Sequence, residues 1–326
     1  DLVKTPYTNT AGDVKTSGDT DCDGNLFGTS ATWEQVDDAV VGSGAGFSRN
    51  VSISSDGTRI AVIYKDGTDG FHGGKGVVIV FEHNSNAASG SQWRQLGQNI
   101  YSEAAGDGYH ASISLSGDGN RLAVGSPDNM NPALNTNSGH VRVFELETGL
   151  NTNSGQITYS WSQLGGDIDG QFGNNFLGTS VSLSSDGGRL AVGLPGLSKV
   201  RVFEWVSVTV TWTQLGADIS STVVDGGFGN SVSLSADGAR LIVGQPEKTG
   251  SGVAGSGHIK VLQYSTMSGT WDQIFSHDGP SSIAASLAEG KSSDGFGQSV
   301  AMSSDGGAIA VSAPYYRQPS PWAVGV

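Results

Sequence analysis

Asp19, Asp21 and Asp23 place three carboxylates at alternate positions, with Gly24 and Asn25 directly behind them. A hard cation such as Ca2+ takes about six to eight oxygens, and alternate side chains of a tight loop turn toward one centre while the glycine supplies the bend. Position nine of this loop is Phe27 and position twelve is Ser30, so the closing acidic ligand of a helix–loop–helix calcium site is missing. The segment reads either as a Ca2+ site on Asp19, Asp21, Asp23 and Asn25 or as a solvated acidic linker.

A second set of carboxylates, Asp107, Asp169, Asp225 and Asp294, is spaced along the chain, each followed by Gly. On one rim they could gather cations or accept hydrogen bonds from sugar hydroxyls. The plainer reading is turn chemistry, since Asp-Gly bends a loop unaided, and Ser43-Gly44-Ala45-Gly46 holds the corresponding place in the first unit. Tyr109, Tyr315, Tyr316, Trp205 and Trp322 fall outside the repeat pattern and are candidates for a ligand surface.

Catalysis finds little support. The six histidines are scattered, and His140 and His258 occupy a slot that Lys199 fills elsewhere, which reads as an exposed edge position. No serine lies in a nucleophile-elbow context, and no glycine-rich phosphate loop joins a strand to a helix. Carboxylate pairs for glycoside hydrolysis stay open, because their spacing is three-dimensional.

What must position these residues is a repeat. The clearest copy runs SVSLSSDGGRLAVGLP, KVRVFEW, WTQLG from Ser180 to Gly216. Its turn aspartate recurs at Asp56, Asp118, Asp186, Asp237 and Asp305, and its tryptophan at Trp33, Trp93, Trp161, Trp212 and Trp271. Successive aspartates lie 51 to 68 residues apart, the range of propeller blades. Period-two alternation, as in Val181 and Leu183 against Ser180, Ser182 and Ser184, predicts half-buried antiparallel strands. Asp-Gly predicts a two-residue hairpin turn with positive φ at both central residues. Two strands of that hairpin, the VRVFE segment and the Trp-x-Gln segment make four strands per unit.

The reading is all-β: a propeller of four-stranded antiparallel blades, five in number, with Thr32 to Val36 completing the last blade. The competing reading is part of a six- or seven-bladed ring, since Phe27 to Ser30 looks like the opening of a further unit. Residues 1–31 are an extension carrying the acidic loop, and 32–326 are the propeller. Strand parity puts the second-to-third and blade-to-blade loops on one rim, where recognition is expected.

Composition narrows the partners. Seventeen Lys and Arg against 31 Asp and Glu give a formal charge of −14, which repels nucleic acid and anionic lipid. No apolar stretch approaches the ~18 residues of a membrane span. The single cysteine, Cys22, excludes an internal disulfide and is available for a bridge to another chain. The chain begins at Asp1 without Met or a signal segment, and Asn50-Val51-Ser52 is a glycosylation triplet.

Phe228-Gly229-Asn230-Ser231-Val232 followed by LIVGQP, and Phe296-Gly297-Gln298-Ser299-Val300 followed by AVSAP, resemble the FG-GAP repeats of integrin α-chain propellers. The resemblance covers about residues 33 to 326 and implies an extracellular propeller of adhesion or ligand recognition. It does not extend to that family's blade calcium loops, because the loop here is contracted to Ser-x-Asp-Gly, as at Ser184-Ser185-Asp186-Gly187. The expected function is therefore an extracellular, non-enzymatic adhesion or surface-assembly module that meets other proteins or surface glycans through one loop face. The alternative is a carbohydrate-binding propeller or a glycoside hydrolase on the same rim.

Overall fold

A computed structural model describes residues 47–65, 76–88, 92–104, 107, 112–131, 136–152, 154–171, 173–221, 226–247, 256–279 and 295–315. The fold is an all-β propeller. Blade 1 comprises β1 (Phe47–Ile53), β2 (Arg59–Lys65), β3 (Gly76–His83), β4 (Trp93–Gln95) and β5 (Ile100–Tyr101). Blade 2 comprises β6 (Ser112–Leu115), β7 (Arg121–Ser126), β10 (His140–Leu150), β11 (Ile157–Gln163) and β12 (Ile168–Asp169), with the small hairpin β8 (Met130–Asn131) and β9 (Thr136–Asn137) inserted after β7. Blade 3 comprises β13 (Val181–Leu183), β14 (Arg189–Leu194), β15 (Lys199–Val206), β16 (Thr211–Gln214) and β17 (Ile219–Ser220). Blade 4 comprises β18 (Ser231–Leu234), β19 (Arg240–Gln245), β20 (His258–Ser265) and β21 (Thr270–Asp278), and the hairpin β22 (Val300–Met302) and β23 (Ile309–Val311) follows. The proposed closing strand, Thr32 to Val36, and the acidic loop with Cys22 lie outside the described residues.

Two features depart from the sequence expectation. In blades 1 to 3 the fourth strand comes in two pieces: after Trp-x-Gln the chain bulges at a positive-φ glycine, Gly97, Gly165 or Gly216, and the second piece pairs back onto the start of the third strand, whereas β21 of blade 4 runs unbroken along β20. That second piece carries side chains onto the loop rim. The hairpin turn is also not a two-residue turn. Gly57, Gly119, Gly187, Gly238 and Gly306 have positive φ while the aspartates before them do not. The Ser54 N–H donates to the Arg59 carbonyl (2.9 Å) and the Gly57 N–H to the Ser54 carbonyl (3.0 Å), so Ser55 to Thr58 form a four-residue loop. Asp56 stays right-handed because its carboxylate accepts the Ser54 hydroxyl (2.6 Å) and the Thr58 N–H (2.9 Å), bonds that the mirror-image turn would break.

The same bonds hold the turn carboxylates below their ordinary pKa. At Asp56, Asp237 and Asp305 the serine hydroxyl contributes most, followed by the N–H two residues on. At Asp118 and Asp186 burial pulls the other way and these bonds outweigh it. A carboxylate whose folded pKa is depressed adds stability above its unfolded pKa, about 4, and loses it as pH falls further. Because the five turns share one chemistry, denaturant midpoints should fall steeply from pH 5 to pH 3, and Asp186→Asn should be less stable at pH 7 with a shallower acid slope. A midpoint flat across that window would contradict this origin.

Burial is almost complete in the second strands, such as Leu122 to Ser126, because each blade is covered on both faces; alternation survives mainly in the inner strands. Apolar clusters fill each blade interface. Ile63, Val80 and Leu96 of blade 1 meet Leu115, Leu122 and Trp161 of blade 2, and equivalent sets join blade 2 to 3 and 3 to 4. The repeated tryptophans clasp neighbours, Trp161, Trp212 and Trp271 donating their indole N–H to the carbonyls of Leu96, Leu164 and Leu215 of the preceding blade (2.9–3.0 Å). The alternating serines work across blades too, since Ser52, Ser114, Ser182 and Ser233 accept N–H groups of Leu115, Leu183, Leu234 and Met302. The turns are tied in sequence, Ser55 N–H to Gly117 carbonyl, Gly117 to Ser185, Ser185 to Ala236 and Ala236 to Ser304 (2.7–2.9 Å).

Candidate functional site

Among the described residues, the rim holding the second-to-third and blade-to-blade loops carries one cluster of three histidine and carboxylate side chains. Glu103 follows β5 of blade 1, His140 opens β10, and Asp167 stands just before β12. One potential ligand atom from each lies within 4.8 Å of the others. The register explains the meeting: β12 pairs His140 with Asp169 and Val141 with Ile168, which brings the turn before β12 alongside the start of β10. Glu103 arrives from the neighbouring blade, because β5 pairs with β3 at the same rim.

His140 is 1% exposed, which corrects the expectation of an exposed edge position. The slot is covered by the second half of the fourth strand, and the sequence pattern did not reveal that half. The His140 Nδ1 lies 3.6 Å from Glu103 Oε2, beyond hydrogen-bond range, and Nε2 is buried with no hydrogen-bond partner. Burial lowers the imidazole pKa and the Arg142 charge lowers it further, against the opposing pull of Glu103, Asp167 and Asp107. The ring is neutral at pH 7, with a lone pair available.

Arg142, two residues on, completes the group. Its Nη2 donates to the Tyr101 carbonyl (2.8 Å), its Nη1 stands 3.8 Å from Glu103 Oε1, and its guanidinium covers the Phe144 ring at 5.4 Å. Its Nε is buried without a hydrogen-bond partner. Arg142 also lines a small pocket between blades 1 and 2 with Gly76, Tyr101, Ser102 and Ser126, with room for about one water molecule. Asp167 accepts one hydrogen bond, from Gln163 Nε2 (2.7 Å). Two exposed carboxylates, a buried neutral imidazole and a fixed guanidinium thus face one rim. Such a set can bind a cation, take a proton from water, and offset negative charge on an oxygen.

The residues singled out in the sequence fare differently. Asp107 is 3% exposed, and its carboxylate accepts the Ala104 N–H (2.9 Å) and the Asn129 amide (3.2 Å), so it fixes the loop behind Glu103 rather than offering itself to a ligand. Asp169 is exposed in β12 beside His140. Tyr315 is exposed, by 64%, after the last hairpin, where it flanks Gly295. Trp205 is architectural, since it packs on Trp212 at 5.4 Å. Asn50 lies half-buried in β1. Asp225, Asp294, Tyr109, Tyr316, Trp322 and the set Asp19, Asp21, Asp23 and Asn25 lie outside the described residues. Glu103, His140, Arg142 and Asp167 went unrecognised in sequence; the one available signal was His in place of Lys at a repeat position.

No protein-family model matches the sequence, and no curated protein does. Solved structures do match in fold. The periplasmic gluconolactonase of Pseudomonas aeruginosa aligns over 80% of this chain at 19% identity with a TM-score of 0.51. A protein from Lactobacillus plantarum aligns over 81% at 14% identity (TM-score 0.45, 63% of that chain), and a candidate 6-phosphogluconolactonase of Bacteroides fragilis over 80% at 11% identity (TM-score 0.39, 76% of that chain). The present chain spans 64% of the length of the gluconolactonase. At such identity the likeness establishes the propeller fold and nothing finer. It does correct the step from propeller to non-enzymatic adhesion module: the structures that share this architecture include a lactonase, an enzyme, and the hydrolase alternative fits them better. No helix among the described residues is long and apolar enough to cross a membrane.

Proposed function

We propose that this chain is a hydrolase that opens a cyclic ester of a sugar acid, a lactonase, at the rim between blades 1 and 2. The observation that carries this reading is the meeting of Glu103, His140 and Asp167 beside the Arg142 guanidinium. Fold likeness to a gluconolactonase supports the choice of lactone over glycoside.

In this scheme Glu103 takes a proton from a water held beside His140, and the oxygen of that water attacks the lactone carbonyl carbon. The carbonyl oxygen takes the negative charge, and Arg142 sits to offset it. The tetrahedral intermediate collapses by breaking the bond from the carbonyl carbon to the ring oxygen. That oxygen takes the proton removed from water, leaving an open-chain hydroxy acid. Asp167 accepts hydrogen bonds from substrate hydroxyls.

A pH-stat assay on glucono-δ-lactone tests the reading. Acid release should exceed the spontaneous rate, and Glu103→Gln should lower the enzymatic rate about 10²-fold, the lower end of general-base contributions, without shifting the thermal midpoint. A panel of sugar lactones opened no faster than in buffer would sink it.

A further inference from the structure

The slot at the start of the third strand recurs in each complete blade and is occupied by Gly76, His140, Lys199 and His258 in turn. Blade 3 shows what it holds when filled by a cation. The Lys199 ammonium lies 2.9 Å from Asp218 Oδ2, and Arg201 Nε lies 2.8 Å from the other oxygen of the same carboxylate. Asp218 is the counterpart of Asp167: each lies four residues past the Gln of Trp-x-Gln and accepts that Gln amide. Arg201 is likewise the counterpart of Arg142. The two blades therefore present one framework with different charges.

In blade 3 two cations meet one carboxylate, and Gln171 holds the place that Glu103 holds one blade earlier. In blade 2 one cation, Arg142, faces two carboxylates and the imidazole of His140. Blade 3 thus answers its carboxylate with a second cation, which blade 2 lacks. At the same place His140 is buried with neither ring nitrogen hydrogen-bonded, a condition native proteins seldom leave without an ion or water.

We infer that Glu103, His140 and Asp167 hold a divalent cation of the Mn2+–Zn2+ class, seated where blade 3 places the ammonium of Lys199. One imidazole nitrogen with two carboxylate oxygens is a mixed set that suits these ions better than Ca2+ or Mg2+, which take oxygen alone. Ligand bonds of about 2.0–2.2 Å require the three donors to close in, and the half-exposed side chain of Glu103 can supply that movement. Three protein ligands leave a coordination position for water, whose proton the metal makes easier to remove. As chemistry this rests on the hydrolase reading; as binding it stands without it.

The test titrates Mn2+ and Zn2+ separately into chelator-treated full-length chain, read by calorimetry and thermal midpoint with no substrate present. A saturable site of unit stoichiometry, and a midpoint that climbs with metal concentration, are expected. Glu103→Gln should weaken binding at least tenfold. His140→Lys is the decisive variant. It installs the blade 3 arrangement, so it should keep the metal-free midpoint and lose the metal response. Absence of saturable binding, or a response undiminished in His140→Lys, overturns the site, and so does a response to Ca2+ alone. Metal binding without lactone hydrolysis would sink the function and leave the site; hydrolysis indifferent to chelation would do the reverse.

Discussion

Trp161→Ala should cost about 3–5 kcal/mol of folding stability, the range for a large aromatic truncated inside a core. Trp161 is 4% exposed and packs with residues of blade 1 and blade 2 together. It is fastened three times to the preceding blade: its indole N–H donates to the Leu96 carbonyl (2.9 Å), its backbone N–H to Gln98 Oε1 (2.9 Å), and its carbonyl accepts the Gln98 amide (2.7 Å). Truncation opens a cavity and orphans the Leu96 carbonyl. Trp161→Phe keeps most of the apolar contact, so its loss should be nearer the ~1–3 kcal/mol of an unsatisfied buried polar group. Trp212 makes the same indole bond but is only partly buried, so Trp212→Ala should cost less than Trp161→Ala. Urea unfolding of the three variants gives the order, and equal losses at Trp161 and Trp212 would show that burial is not what sets the cost.

Gly193→Ala should be harsher still, at about 4 kcal/mol or more, a loss reserved for a few specific mechanisms. A Cβ at Gly193 would be driven into the Gly229 carbonyl oxygen of the next blade, and that carbonyl is already fixed by the Ser180 hydroxyl (2.8 Å). Neither side can yield, because the obstacle is backbone. Gly125 against Gly178 and Gly244 against Gly297 repeat the arrangement. Gly57→Ala is the control: its φ of +72° carries strain, but a Cβ there meets nothing within 4 Å. A strained but uncrowded site loses about 1–2 kcal/mol. Soluble yield and thermal midpoint should rank Gly193→Ala well below Gly57→Ala, and the opposite order would refute close blade contact as the reason for these glycines.

These glycines also show why the architecture was legible. The Phe-Gly and Val-Gly pairs, the serine alternation and the tryptophans recur because each blade asks the same thing of its neighbour, and a repeated demand leaves a repeated letter. The turn was misjudged because Asp-Gly has two solutions. Only the serine hydroxyl, two residues before the aspartate, selects the four-residue loop. The site was invisible for the opposite reason. Glu103 belongs to one blade and His140 and Asp167 to the next, and they meet through a bulge and a two-residue strand too short to leave a period. His140 could have been found by asking why a slot that holds lysine in one blade holds histidine in two others.

The ties from turn to turn form a second thread through the molecule, one that crosses the covalent chain at Ser55, Gly117, Ser185, Ala236 and Ser304. Every donor on that thread points the same way, from a blade to its successor, so the thread has a sense of travel, as an arrow does. A unit copied into the gene between two others would arrive with one N–H and one carbonyl at this place, and each would find its complement waiting. Insertions confined to the loops, such as the β8–β9 hairpin after β7, leave the thread intact. The direction of that hydrogen bond thus makes each unit interchangeable with its neighbours at this place.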